Sequence, residues 1–373
     1  MAVKNNTYNI QEIGLAKALV RKGNVCDVVF WTDKQEETVT IPVDNCGEVC
    51  VFYRHGKTKF KNTIFDKCED LFAKYDILQP CEYNQMQAWL LAKNQPNKTV
   101  IYHGPYYSPF NKRYNLMCKV FDVIFLKRYI KQKTKFLVKS ELAKEFLIKK
   151  GISPSNICVV GVGIDAQMLS SGRCECQEKL YLQIKRDSDK LKMLYIGRFE
   201  ERRNVFFIIE VFAKVFQQNK NARLYMVGTG EVEYIKAVFK YADELGCRKY
   251  IYWQERIEQK YLSDIYKQVD FFLLPTKYEI FGMVLLEAMY YKTIVVTTQN
   301  GGSSMLIKDG ENGKVLESND TNLWSNFLMK VYSNKNLMIK MKDNASETIT
   351  KYFMWDCIAN AFIKQYKRMI SEL

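Results

Sequence analysis

Residues 270–289 read DFFLLPTKYEIFGMVLLEAM. DFFLLP is a short apolar run closed by Pro275, the pattern of a buried strand. KYEIFG is a loop, and a helix pattern begins near Gly282. Two carboxylates frame that glycine with seven residues between them, Glu279 in the loop and Glu287 in the helix. A strand passing through a short loop into a helix is the building unit of a parallel sheet, and ligands of such sheets bind beyond the carboxyl ends of the strands. N–H groups at the helix start can hold phosphate. Gly282 lets a ligand approach the backbone. Carboxylates beside such a cradle suit sugar hydroxyls, which they can accept as hydrogen bonds. The plainer alternative is a glutamate matched to the helix dipole and a second one on the surface. It is stronger for Glu279 than for Glu287, whose neighbours Leu285, Leu286, Ala288 and Met289 read as buried.

The same unit recurs on both sides. KMLYIG, RLYMVG, YIYW and TIVVTT read as further strands, separated by helical stretches at 205–217, 232–245 and 259–267. In the first half, CDVVFW, EVCVFY, YDILQP, TVIYHG and KFLVKS read as strands, with helices at 82–93 and 111–130. NICVVGVGID closes that half, and residues 177–190 look like a linker or connecting helix. The expectation is an α/β chain of two doubly wound, parallel-sheet, Rossmann-like domains facing a cleft. Residues 1–170 form the first domain, 171–352 the second, and 353–373 a helix. The chain opens on a polar stretch and then EIGLAKALVRKG, which reads as a helix with its glycine stop, so the first strand is expected to be missing or very short.

With 373 residues, 47% of them hydrophobic, the chain has ample material for two cores. Its 7 prolines and 18 glycines exclude a fibrous or disordered class. The 11 cysteines are scattered without a repeated C-x-x-C, so reduced thiols in a cytosolic protein are expected, and no metal site. No apolar run reaches the ~20 residues of a membrane span. The net charge of +15 suits phosphate-rich partners or an anionic membrane face. Residues 107–150 hold twelve Lys and Arg against three Asp and Glu. That stretch reads either as a core helix with a solvated basic face or as a membrane-surface element.

Other motifs fall at expected strand ends. YIGRFEERRN places Arg198, Arg202 and Arg203 where guanidinium forks would match a diphosphate, or would form a solvated turn paired with Glu200 and Glu201. VGTGEVE is a glycine turn into a helix, and NGGSSMLIKDGENG a glycine-rich loop. His103 ends TVIYHG beside Gly104 and Pro105, a position that favours a binding role over a structural turn.

Together these elements resemble the GT-B glycosyltransferases of family 4, most strongly over 192–313. The elements are E-x7-E at Glu279 and Glu287, GRFEERRN, VGTG, DFFLLPT-YE-FG and the GG loop. The resemblance implies the GT-B fold and a retaining, metal-independent hexosyltransferase with no cofactor. It would move a sugar from a nucleotide-sugar donor, a UDP-hexose by family habit. The acceptor would be a glycan or lipid-linked saccharide in surface polysaccharide synthesis. It implies that Glu287 holds the donor ribose, that Glu279 and His103 attend the transferred sugar, and that Arg198 and Arg203 bind the diphosphate. The backbone at Phe281 and Gly282 would meet phosphates or sugar, and Arg256 and Ile257 would stand where the base is held. The helix 353–373 would cross back to the first domain. A cytoplasmic location, peripheral on the inner face of the plasma membrane, follows. The family's glycine pair would fall near Asn6 and Thr7, where this sequence has none. An inactive, degenerate member of the fold is therefore one alternative. A basic nucleic-acid-binding protein is another; the sequence carries no module of that kind, and nucleic acid is not expected as a partner.

Overall fold

The computed structural model describes residues 10–59, 62–165, 176–317 and 320–372. The chain divides into two units, Met1–Asp165 with Phe353–Leu373, and Ala166–Tyr352. The expected domain boundary at residue 170, and the N-terminal residues where a first strand was sought, lie outside the described residues.

The first unit begins with the helix Gln11–Arg21. Its Ile13, Ala16 and Val20 pack on Val28, Val49 and Val51, the inward residues of a small sheet. That sheet has the order β1-β3-β2, with β1 Val28–Trp31, β2 Glu37–Pro42 and β3 Glu48–Arg54. β1 and β3 are parallel, but β2 is antiparallel to β3. This departs from the all-parallel expectation. The cause is local. Asp44 at φ 47° and Gly47 at φ 127° fold a tight turn, closed by the Val43 N–H on Gly47 O at 2.8 Å, and such a turn joins only antiparallel neighbours. β2 escaped a sequence reading that looked for unbroken apolar runs; its Val39 and Ile41 alternate with exposed Thr38 and Thr40, as in a half-buried strand. A second antiparallel pair, β4 Gly56–Lys59 with β5 Asn62–Phe65, was likewise not expected.

A parallel sheet, β6-β7-β8, completes the unit: β6 Val100–His103, β7 Lys135–Val138 and β8 Ile157–Val159. The expected strand YDILQP is only partly one. Residues 78–82 exchange backbone hydrogen bonds with the β6 segment, including Tyr102 N–H on Pro80 O at 3.0 Å. Pro80 has no N–H to return, so only isolated bridges form at Leu78 and Cys81. The helix expected at 82–93 starts later, as Met86–Asn94. The basic stretch is helical as expected: Lys112–Phe121, a π-helical turn Asp122–Leu126, then Lys127–Lys131. The last helix, Trp355–Ser371, packs within this unit, with Trp355 against Gly14 and Gly163 so closely that neither glycine has room for a Cβ.

The second unit is one parallel sheet in the order β11-β10-β9-β12-β13-β14. The strands are β9 Leu191–Ile196, β10 Ala222–Val227, β11 Ile251–Gln254, β12 Phe271–Leu274, β13 Ile294–Thr297 and β14 Gly313–Val315. β12 and β13 are buried along their whole length, which explains their unbroken apolar sequence. The charged stretch before β9 folds as the helix Lys179–Arg186, with Leu180 and Ile184 buried. Among the described residues no helix is long and apolar enough to cross a membrane, and the cysteines are free thiols.

Candidate functional site

Strand order reverses beside β9. The chain moves from β9 outward to β10 and β11, then returns to the other side of β9 as β12. Connections leave β9 and β12 in opposite directions, so a crevice opens beyond their carboxyl ends. The loops there are 197–204 and 275–282, the two that carry the arginines and Glu279.

An ion pair joins them. Arg203 donates through Nη1 to Glu279 Oε2, and both side chains are about 15% exposed. Arg203 Nε makes no hydrogen bond, and the carboxylate of Glu200 lies 3.9 Å from it. Arg202 acts differently. Its Nη1 donates to Tyr278 O at 3.0 Å, its carbonyl accepts from Lys277 N–H at 2.8 Å, and its Nε sits 2.8 Å from Glu200. Arg202 thus clips one loop to the other, while Arg203 presents charge. Arg198 is exposed, with its carbonyl held by the Tyr195 hydroxyl at 2.6 Å. Burial raises the pKa of Tyr195, against the pull of Arg203, which keeps that hydroxyl a donor.

VGTG proves to be the brace behind this loop. Gly197 N–H bonds Val227 O at 2.9 Å and Phe199 N–H bonds Thr229 O at 2.8 Å. A Cβ on Gly228 would fall 1.7 Å from Gly197 O, so only glycine permits that approach.

Gly282 caps the helix Met283–Tyr290 with φ 80° and ψ 77°. This left-handed turn brings Glu279 back over the helix start, where a Cβ on Gly282 would meet Glu279 Cγ at 3.1 Å. Phe281 is buried, and its carbonyl lies where a Cβ on Gly302 would be. Gly301 N–H donates to Glu279 O at 3.2 Å, so the glycine-rich loop rests on the Glu279 loop. Glu287 is 1% exposed and accepts from the buried Tyr266 hydroxyl at 3.0 Å. A surface role for Glu287 is excluded. Arg256 and Ile257 follow β11, the edge strand two places from β9. Arg256 is exposed, and its carbonyl accepts from Gln254 Nε2 at 2.8 Å.

In the first unit His103 ends β6, fully buried. Its Nδ1 lies 2.7 Å from Glu82 Oε2, and its ring stacks on Phe146 at 5.4 Å between centroids. Nε2 is buried with no hydrogen-bond partner. Burial alone would raise the Glu82 carboxyl. The charge and hydrogen bond of His103, with Lys139 and the Gly104 N–H, outweigh it and lower the pKa.

Three roles were not legible. Glu82 sits in a stretch read as helix but takes φ 64°, which turns its side chain to His103. Arg202 was expected at the diphosphate, but its part as a clip between loops, like that of Tyr266 beside Glu287, comes only from partners 76 and 21 residues away. No local pattern marks them.

Residues 177–348 match the family model described as Glycosyl transferases group 1. The match covers just under half of the chain and lies wholly within the second unit. An uncharacterized glycosyltransferase of Methanocaldococcus jannaschii is 28% identical over 182 residues, which is 48% of this chain and 45% of that protein. The lipopolysaccharide core biosynthesis glycosyltransferase LpsE of Rhizobium meliloti is 25% identical over 180 residues, covering 48% of this chain and 50% of LpsE. The chain thus aligns with about half the length of these curated relatives. Anabaena HepE, solved in complex with UDP and glucose, superposes with a TM-score of 0.66 at 15% identity, over 98% of this chain and 96% of HepE. That likeness shows the GT-B fold.

Proposed function

We propose that this chain is a group 1 glycosyltransferase, and within that group a retaining, metal-independent hexosyltransferase of family 4 that uses a nucleotide sugar, a UDP-hexose, as donor. The observation that carries this reading is the Arg203–Glu279 pair, which joins the loops of β9 and β12 where strand order reverses. Arg203 keeps N–H groups beyond the one given to Glu279, and a guanidinium fork can bind two diphosphate oxygens. Arg198, exposed on the same loop, adds a second cation. Together with the N–H groups of Phe281 and Gly282, these charges would stabilise the departing nucleoside diphosphate without a divalent ion. Glu279 would accept hydroxyls of the transferred sugar, and Glu287 those of the ribose. Arg256 and Ile257 would flank the base. His103 would offer Nε2 to the donor sugar. With no nucleophile assigned, attack by the acceptor on the leaving-group face gives retention.

HepE was solved with UDP and glucose, which supports a UDP-sugar donor. LpsE is named for lipopolysaccharide core biosynthesis, which supports a glycan or lipid-linked saccharide acceptor. A thermal-shift panel of nucleotides and nucleotide sugars, with and without EDTA, tests the donor reading. A shift with UDP or a UDP-sugar, unchanged by EDTA, is expected. A shift that EDTA abolishes overturns metal independence, and no shift with any nucleotide overturns the donor site.

A further inference from the structure

The outer face of the helical segment 112–131 has an unusual composition. Ten of its residues are exposed. Five are aliphatic: Leu116, Val120, Val123, Ile124 and Ile130, with Leu116 63% and Val123 80% exposed. The other five are basic: Lys112, Arg113, Lys119, Lys127 and Lys131. No neutral polar or acidic residue is among them. Large aliphatics normally lie inside, and a solvated helix face mixes both signs of charge.

The inner face explains why the outer one is not simply a misplaced core. Cys118, Phe121 and Tyr129 are buried at helical spacing, and Phe125 packs with them. The segment therefore has its core contact already, made without the outer aliphatics. The one acid of the segment, Asp122, is drawn inward. It accepts from Lys150 Nζ and from the Tyr83 hydroxyl at 3.1 Å. Lys150 is nearly buried among the rings of Tyr83, Tyr107 and Phe146. This network sits where the helix takes its π turn, and it leaves the outer face purely cationic and apolar.

We infer that this face docks on an anionic lipid bilayer, lying in the interface with the aliphatic side chains among the acyl chains and the lysines at the headgroups. Charge complementarity selects this occupant. Aliphatics give nothing to a nucleic-acid backbone, and a second copy of the face would oppose five cations to five. Short aliphatics interleaved with Lys and Arg are the composition of an interfacial helix. The inference stands apart from the donor reading, because none of these residues belongs to the proposed donor site. It also refines the sequence expectation: Lys127 and Lys131 face outward, whereas Arg128 is half-buried.

The test is co-sedimentation of the full chain with vesicles of phosphatidylcholine alone or mixed with phosphatidylglycerol. Binding to the mixed vesicles only, weakened by salt, is expected. V123E/I124E should lower it by at least about tenfold, as should K119Q/K127Q/K131Q, given the attraction of each cation to an anionic surface. Both variants alter exposed side chains, so thermal denaturation and the nucleotide-induced shift should stay at the wild-type values. Three results would overturn the inference: no vesicle binding, equal binding to both vesicles, or variants that bind as wild type. A dimer that V123E/I124E converts to a monomer while vesicle binding persists would assign the face to a second copy instead.

Discussion

Two carboxylate pairs make a useful contrast. In the second unit Glu279 meets Arg203 across 76 residues of chain, in a partly solvated crevice where Glu200 adds a further charge. In the first unit Glu82 meets His103 across 21 residues, and the imidazole is fully buried with one nitrogen lacking a partner. The first pair is an answered charge, part of a braced loop system. The second is an oriented ring whose remaining nitrogen is buried without a hydrogen-bond partner. A buried polar atom without a partner carries a penalty of about 1–3 kcal/mol, which is the reason for the proposed binding role of Nε2. The difference teaches that one carboxylate manages charge while the other manages direction.

The largest effect is expected from breaking the first pair. Glu279→Ala and Arg203→Ala should each lower turnover about 10²–10³-fold, the usual loss for a group that stabilises transition-state charge. The two changes should be non-additive, because each leaves the other charge without its partner. Steady-state kinetics of the two single variants and the double variant with the donor identified by thermal shift measures this. Full additivity would show that the pair does not act as a unit.

The second pair should respond next. His103→Ala should lower turnover by about 10²-fold, as loss of a positioned hydrogen-bonding group does. Glu82→Gln should keep the fold, lower turnover less, and displace the pH–rate profile, which a purely structural glutamate would not do. Stability offers a separate reading. The Glu82 pKa is lowered from its ordinary value of 4.5. A carboxylate lowered by folding contributes stability that is full above the unfolded value and is lost as pH falls through the folded one. Thermal denaturation should therefore show an acid-side loss below about pH 4.5 that Glu82→Gln diminishes.

Glu287 separates binding from turnover. Glu287→Ala should weaken nucleotide affinity about tenfold or more, since a hydrogen bond to a charged group contributes about 1.5–3 kcal/mol. It should change turnover less than Glu279→Ala does. Titration calorimetry with the nucleotide measures it, and equal effects of the two changes on affinity would contradict the roles assigned. The smallest effect belongs to Gly282→Ala. At φ 80° a Cβ strains the backbone by about 1 kcal/mol, lowering the melting temperature by a few degrees.

Much of the second unit was legible. DFFLLP and TIVVTT are buried on both faces, so their sequences are unbroken apolar runs. Glycines mark the helix start at Gly282, where φ is 80°, and the loop brace at Gly228, where a Cβ would strike Gly197 O. Glu287 stood out because a lone charge among Leu285, Leu286, Ala288 and Met289 had to be buried with it. The first unit was harder. β2 is half-buried, so it has no unbroken apolar run, and only the alternation of Val39 and Ile41 with threonines marks it. Pro80 sits in a segment that bonds like a strand without completing a ladder. Glu82 lay in an apparent helix because its left-handed backbone leaves no mark in local composition.

The sequence alone determined the alternation of strands and helices, the polar loops at strand ends and the charge of the 112–131 segment. These are local consequences of burial, turn chemistry and composition. Tertiary structure alone decided that Arg203 rather than Arg202 meets Glu279, that Tyr266 holds Glu287, and that Glu82 aims His103. It also turned Asp122 inward and left the outer face of its helix without an acid. The physical reason is that hydrogen bonds and ion pairs join atoms brought close by strand order and loop geometry, whatever their separation along the chain.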